Sequence, residues 1–228
     1  MKTLAIPSLL LPVALILACP ALADGADDAS RWDKDMAAFE ERDRQSPPAE
    51  GALLFVGSSS IKLWDLEKSW PDRATINNGF GGSTLADSIA HFDRLFAPYD
   101  PAAIVIYAGD NDIARGLSPE EFLADFKTLA SKIEAKLPGV PVIFLAVKPS
   151  RQRWDLWPTM KAGNALVADY CEGRENLYFA DIAEPMLAGR DEAPAEDWFV
   201  ADGLHLSESG YARWTKVVDA LLPEEERE

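Results

Sequence analysis

Residues 103–147 read AIVIYAGDNDIARGLSPEEFLADFKTLASKIEAKLPGVPVIFLAV, and this stretch decides the fold. Its ends, Ala103-Ile104-Val105-Ile106-Tyr107 and Val142-Ile143-Phe144-Leu145-Ala146-Val147, are apolar runs without polar alternation. Such runs suit strands buried on both faces, as in a parallel sheet. Between them, Ser118-Pro119-Glu120-Glu121 opens a helix, with Ser as cap, Pro at the first position and Glu closing a capping box. Phe122, Phe126, Leu129, Ile133 and Leu137 then form one apolar stripe, and Pro138-Gly139 stops it. Strand, helix, strand is the unit from which parallel sheets are built.

The same alternation extends outward. Leu53-Leu54-Phe55-Val56, Ala74-Thr75-Ile76-Asn77 and Leu177 to Ile182 are further strand-like runs. Helical periodicity covers Ser83–Pro98 and Ser207–Leu222. The pattern predicts a doubly wound α/β sandwich in one domain, residues 51–228. Residues 24–50 form a polar N-terminal extension, helical around Ser30–Arg44 and stopped by Ser46-Pro47-Pro48. Ahead of it, MKTLAIPSLLLPVALILACPALADG has a single basic residue, Lys2, an apolar run to about Leu17, and Ala21-Leu22-Ala23 before Asp24. This is the pattern of a signal peptide over residues 1–23, and it predicts an exported protein, periplasmic or secreted. Ile16-Leu17-Ala18-Cys19 loosely resembles a lipidation site, but the Ala-x-Ala sequence four residues later fits better. Cleavage there removes Cys19 and leaves Cys171 as the sole cysteine.

Composition narrows the function. With 22 Lys+Arg against 38 Asp+Glu, the formal charge of −16 argues against nucleic acid and anionic membrane surfaces as partners. Two His and two Cys cannot build a Cys/His zinc cage. Carboxylate-bound Mg²⁺ or Ca²⁺ stays open on composition alone.

In open α/β sheets, ligands sit outside the carboxyl ends of the strands. At those ends lie Gly57-Ser58-Ser59-Ser60, Asn77-Asn78-Gly79-Phe80-Gly81-Gly82-Ser83-Thr84 and Gly109-Asp110-Asn111-Asp112, and Asp202-Gly203-Leu204-His205 precedes the last helix. Each alone is ordinary turn chemistry. Together they hold what acyl transfer requires: a hydroxyl nucleophile, a His base with a nearby carboxylate, and N–H donors for an oxyanion. Of the two histidines, His91 falls about 130° from the centre of the apolar face of a helix over Ser83–Pro98, so it is expected on the surface. His205 follows Asp202 at i+3 in a Gly-containing turn, where the carboxylate can hold Nδ1. His205 is therefore the expected base.

These blocks resemble those of the SGNH (GDSL-type) hydrolases, in order, from about Leu53 to Leu222. FVGSSSIKLW looks like the first block, with Ser59 in the nucleophile position and Trp64 five residues on. NNGFGGST resembles the second, with Gly82 at the oxyanion-hole position, and GDND the third, with Asn111 as side-chain donor. DGLH matches the block carrying Asp202 and His205. The resemblance implies a three-layer α/β/α sandwich with a five-stranded parallel sheet. It also implies a Ser59–His205–Asp202 esterase without cofactor, whose oxyanion hole is made by Ser59, Gly82 and Asn111. Ser58 stands where the family usually has Asp, which leaves the nucleophile turn's hydrogen bonding open. Gly57 to Ile61 does not fit the G-x-S-x-G of the α/β-hydrolases.

The expected substrate is a small-molecule or glycan ester carrying a short acyl or O-acetyl group. Lys148, Arg151 and Trp154 are candidate substrate contacts beyond the fourth strand, and Trp154 with Trp157 is a sugar-stacking platform, an acyl pocket or a buried helix face. The alternatives are a lysophospholipase- or thioesterase-like lipid acylhydrolase, a Mg²⁺-dependent phosphatase using Asp110 and Asp112, and a non-catalytic glycan-binding protein.

Overall fold

In the computed structural model, residues 29–224 are described. The expected signal peptide with Cys19, and the last residues of the acidic tail, lie outside the described residues. The strands are β1 (Leu53–Gly57), β2 (Thr75–Gly79), β3 (Ala103–Tyr107), β4 (Val142–Leu145) and β5 (Leu177–Ala180), all parallel, in the order β2-β1-β3-β4-β5. Helix α1 (Asp33–Gln45) precedes the sheet, and α2 (Ser59–Lys62) and α3 (Leu66–Ser69) join β1 to β2. Then α4 (Leu85–Ala90) and α5 (Phe92–Leu95) lead to β3, and α6 (Asp110–Ala114) and α7 (Pro119–Lys136) lead to β4. Finally α8 (Trp157–Cys171) precedes β5, which α9 (Ala183–Leu187) and α10 (Glu208–Asp219) follow.

This order sends the β1–β2 connection one way across the sheet and the later ones back. Because parallel crossovers are right-handed, the helices fall on opposite faces, giving three layers. On one face Trp64 packs against Trp214 at 5.7 Å between ring centroids, and Trp70 Nε1 donates to Asp219 Oδ1 at 3.2 Å. On the other, Phe122 and Phe126 of α7 meet Phe144 of β4 at 6.1 and 4.6 Å. The expected capping box at Ser118–Glu121 is present, and every residue of β1 and β3 is buried. No helix among the described residues is long and apolar enough to cross a membrane.

The register sets Gly57 beside both Gly79 and Tyr107, so β2, β1 and β3 end level and their loops converge. Gly57 has φ +149°, and a Cβ there would lie 2.0 Å from the Tyr107 carbonyl oxygen. Only glycine lets the chain leave β1 this close to β3.

His91 is not the surface residue the helical wheel predicts. The helix breaks at His91, between α4 and α5, and its ring is 7% exposed and edge-on to Phe80 at 6.3 Å. An angular argument fails when the helix it assumes is two short pieces.

Candidate active site

Three serines follow β1, and the structure separates them. Ser58 is buried: its N–H donates to Tyr107 O at 3.0 Å, and its hydroxyl has no partner among the described residues. Ser60 is buried too, with its Oγ 3.2 Å from Lys148 Nζ. Ser59 is half-buried and opens α2, and its Oγ lies 3.0 Å from His205 Nε2. At the first position of a helix its N–H has no intrahelical acceptor.

The imidazole is held from the other side. Asp202 Oδ2 is 2.6 Å from His205 Nδ1, while Asp202 Oδ1 accepts the N–H of Leu204 at 2.8 Å and of His205 at 2.9 Å. What burial Asp202 has works against its charge, but the bonds from His205 and the two backbone N–H groups hold its carboxyl down at about 2. The turn is fixed by Val200 N–H donating to His205 O at 2.9 Å and by the Ser207 cap of α10. The two side chains stay open to solvent, 29% exposed for His205 and 42% for Asp202.

In α6, just after β3, Asn111 Nδ2 donates to Ser83 O at 3.0 Å, and its Oδ1 accepts from Arg153 Nη2 at 3.1 Å. With the amide so oriented, the second Nδ2 hydrogen is left for a ligand. Gly82 has φ +78°, and its carbonyl accepts from Arg115 Nη2 at 2.9 Å. Arg153, which also donates to Asp110 O at 2.8 Å, escaped the sequence reading because its partners lie about forty residues back in the chain.

One expected substrate contact, Lys148, is corrected. Lys148 is 1% exposed, and its ammonium is taken up by Asp110 Oδ2 at 2.9 Å, Tyr107 OH at 2.9 Å and Ser60 Oγ. It ties the floor of the site together and does not face a substrate. Arg151 is turned toward the 194–196 loop, donating to Pro194 O at 3.2 Å with Glu196 at 3.2 Å. Trp154 is half-buried and stacks on buried Trp157, with ring centroids 6.4 Å apart and planes 13° apart.

The D-x-D reading of Asp110 and Asp112 does not fit either. Asp110 is buried between Lys148 and Arg153; burial opposes its charge, but the two cations hold it below the usual carboxylate range. Asp112 is fully buried, with Oδ1 accepting Leu85 N–H at 2.8 Å and Oδ2 unpaired among the described residues. Neither carboxylate is presented to an incoming metal or phosphoryl group.

Burial pushes the Asp112 carboxyl up to about 7; the Leu85 N–H opposes this and the neighbouring carboxylates of Asp110 and Asp125 add to it. Unfolded, the group ionises near 3.8. Between these values the native state holds a proton that the unfolded chain has lost. This contribution to stability is complete below the lower value and is lost as pH rises through about 7. Between pH 5 and 8 that amounts to about 2–3 kcal/mol. Urea midpoints across this range should therefore fall less steeply for Asp112→Asn than for the native chain, and equal slopes would show that Asp112 is already ionised at pH 5.

The GDSL-like Lipase/Acylhydrolase family model matches residues 63–213. The match begins just after the serine block, so the placement of Ser59 rests on its geometry. An arylesterase of Vibrio mimicus is 23% identical over 179 residues, 69% of this chain and 80% of that one. Among solved structures, a GDSL-like lipase from Bacteroides thetaiotaomicron superposes with a TM-score of 0.69 at 21% identity, covering 86% of this chain and 97% of its own. An acetyl-xylooligosaccharide esterase from Geobacillus superposes at 0.61 with 16% identity, covering 79% and 98%. The five-stranded three-layer sheet is thus a shared fold.

Proposed function

The chain belongs to the GDSL-like Lipase/Acylhydrolase family and is a carboxylic ester hydrolase, and from that premise we propose that it works through a Ser59 acyl-enzyme. The observation that carries this reading is the unbroken hydrogen-bonded line from Ser59 Oγ through His205 to Asp202 at the carboxyl end of the sheet. Ser59 Oγ attacks the ester carbonyl as His205 Nε2 takes its proton, and Asp202 holds the ring and stabilises the imidazolium. The N–H groups of Ser59 and Gly82 and the amide of Asn111 receive the developing oxyanion. His205 returns the proton to the departing alcohol, then activates the water that releases the acid.

We propose short acyl or O-acetyl esters of a saccharide or small alcohol as substrates. In support, the site is open rather than tunnel-like, and the Geobacillus neighbour is an acetyl-xylooligosaccharide esterase. A panel of acetylated sugars, p-nitrophenyl esters of increasing chain length and lysophospholipid tests this. Activity rising with chain length would favour the lipid acylhydrolase instead. Export of the enzyme is part of the proposal and rests on the pattern of residues 1–23.

Asn111→Ala removes the one oxyanion donor that a side chain supplies. The expected result is a kcat lower by about 10²–10³, with KM little changed. A loss confined to KM would place Asn111 in ground-state binding.

A further inference from the structure

We infer that Trp32, on the segment ahead of α1, is a positioning residue that sets the direction of the Gly82 N–H, an inference that rests on the Ser59 acyl-transfer reading. Trp32 is 2% exposed, and its Nε1 donates to the Gly81 carbonyl at 3.1 Å. Its ring stands edge-on to Phe80 at 5.6 Å, with the Arg31 guanidinium 4.7 Å from its centroid.

The geometry of the peptide bond gives this contact its meaning. Gly81 O and Gly82 N–H belong to one trans peptide and point to opposite sides of it. Fixing the carbonyl toward Trp32 therefore sends the N–H away from the N-terminal segment. Phe80 to Ser83 form a β-turn, with Ser83 N–H donating to Phe80 O at 3.4 Å, and the φ of +78° at Gly82 is that of type II. Types I and II differ by a flip of the central peptide, here the one joining Gly81 to Gly82. With glycine at both central positions, either orientation is open to the backbone. A flip would put a carbonyl oxygen where the N–H stood, an acceptor facing a developing anion.

The neighbouring carbonyls are pinned as well, Gly82 O by Arg115 and Ser83 O by Asn111, so the whole turn is held by side chains. Trp32 is itself anchored through α1, where Arg42 donates to Asn77 O at 2.7 Å and to Asn78 Oδ1 at 2.9 Å. Asp35 of α1 pairs with Lys62 of α2 at 2.8 Å. Residues ahead of the sheet thus belong to the site although none touches Ser59.

The test removes the donor and keeps the shape. Trp32→Phe retains an aromatic ring against Phe80, and site-specific replacement of Trp32 by 3-benzothienylalanine retains the full bicyclic outline with sulfur in place of N–H. Both variants are assayed on p-nitrophenyl acetate alongside thermal melts. The expected result for the benzothienyl protein is an unchanged melting temperature, a KM within about two-fold, and a kcat lower by about 10- to 100-fold, below the loss expected for removing an oxyanion donor outright. Affinity for a boronic acid that forms a tetrahedral serine adduct should weaken by the same factor as kcat/KM. A merely structural role for Trp32 would lower the melting temperature and leave kcat per folded molecule intact. Full kcat in the folded benzothienyl protein overturns the inference and leaves the Ser59 reading standing. Turnover retained in Ser59→Ala overturns that reading and this inference with it.

Discussion

Ser59→Ala lowers kcat for p-nitrophenyl acetate by about 10⁴–10⁶, the range expected when a triad nucleophile is removed. Ser58 and Ser60 cannot take over. Ser58 is buried behind the turn, and the hydroxyl of Ser60 is engaged by Lys148. In the native enzyme an organophosphonate or sulfonyl fluoride should modify the peptide containing Ser59, at that residue alone. An adduct on either neighbour, or activity within ten-fold of native in the alanine variant, would remove the proposed nucleophile. Fold stability should change little, because Ser59 is half-buried and its Oγ faces His205 rather than the core.

His205→Ala has the second large expected effect, again about 10⁴–10⁶ in kcat. Here the residual rate should be partly restored by added imidazole, which a purely structural defect would not allow. Asp202→Asn should cost less, about 10²–10⁴, because the carboxylate orients and supports the base but exchanges no proton with substrate. Its exposure of 42% also weakens the electrostatic part of its effect. If His205→Ala retained turnover, no other described residue would serve as base. His91 is 7% exposed, with its ring packed edge-on against Phe80.

The sheet was legible because its signals are local. Unbroken apolar runs bounded by glycine and proline mark parallel strands, and the Ser118–Glu121 box marks the start of α7 without reference to anything distant. The Asp202–His205 pair was legible for the same reason: an i+3 spacing in a turn is a local geometric constraint. What was not legible depends on partners far apart in sequence. A lysine in an acidic chain reads as a surface charge, and nothing near Lys148 shows that Asp110, Tyr107 and Ser60 will enclose it. Arg153 lies two residues from Arg151, yet only the folded chain turns the former toward Asn111 and the latter toward Glu196. The break at His91 carries no proline or glycine to announce it.

The separation of the two reacting side chains has a consequence for synthesis. Ser59 and His205 are 146 residues apart, and α10, which follows His205, packs on the nucleophile turn with Tyr211 OH donating to Ser60 O at 2.9 Å. At about 5–20 residues per second, translation delivers the imidazole roughly 7–30 s after the serine. Throughout that interval the emerging chain carries an unactivated hydroxyl. A truncated product ending before His205 is therefore inert rather than a stray esterase, and catalytic power arrives as one of the last events in the making of the molecule.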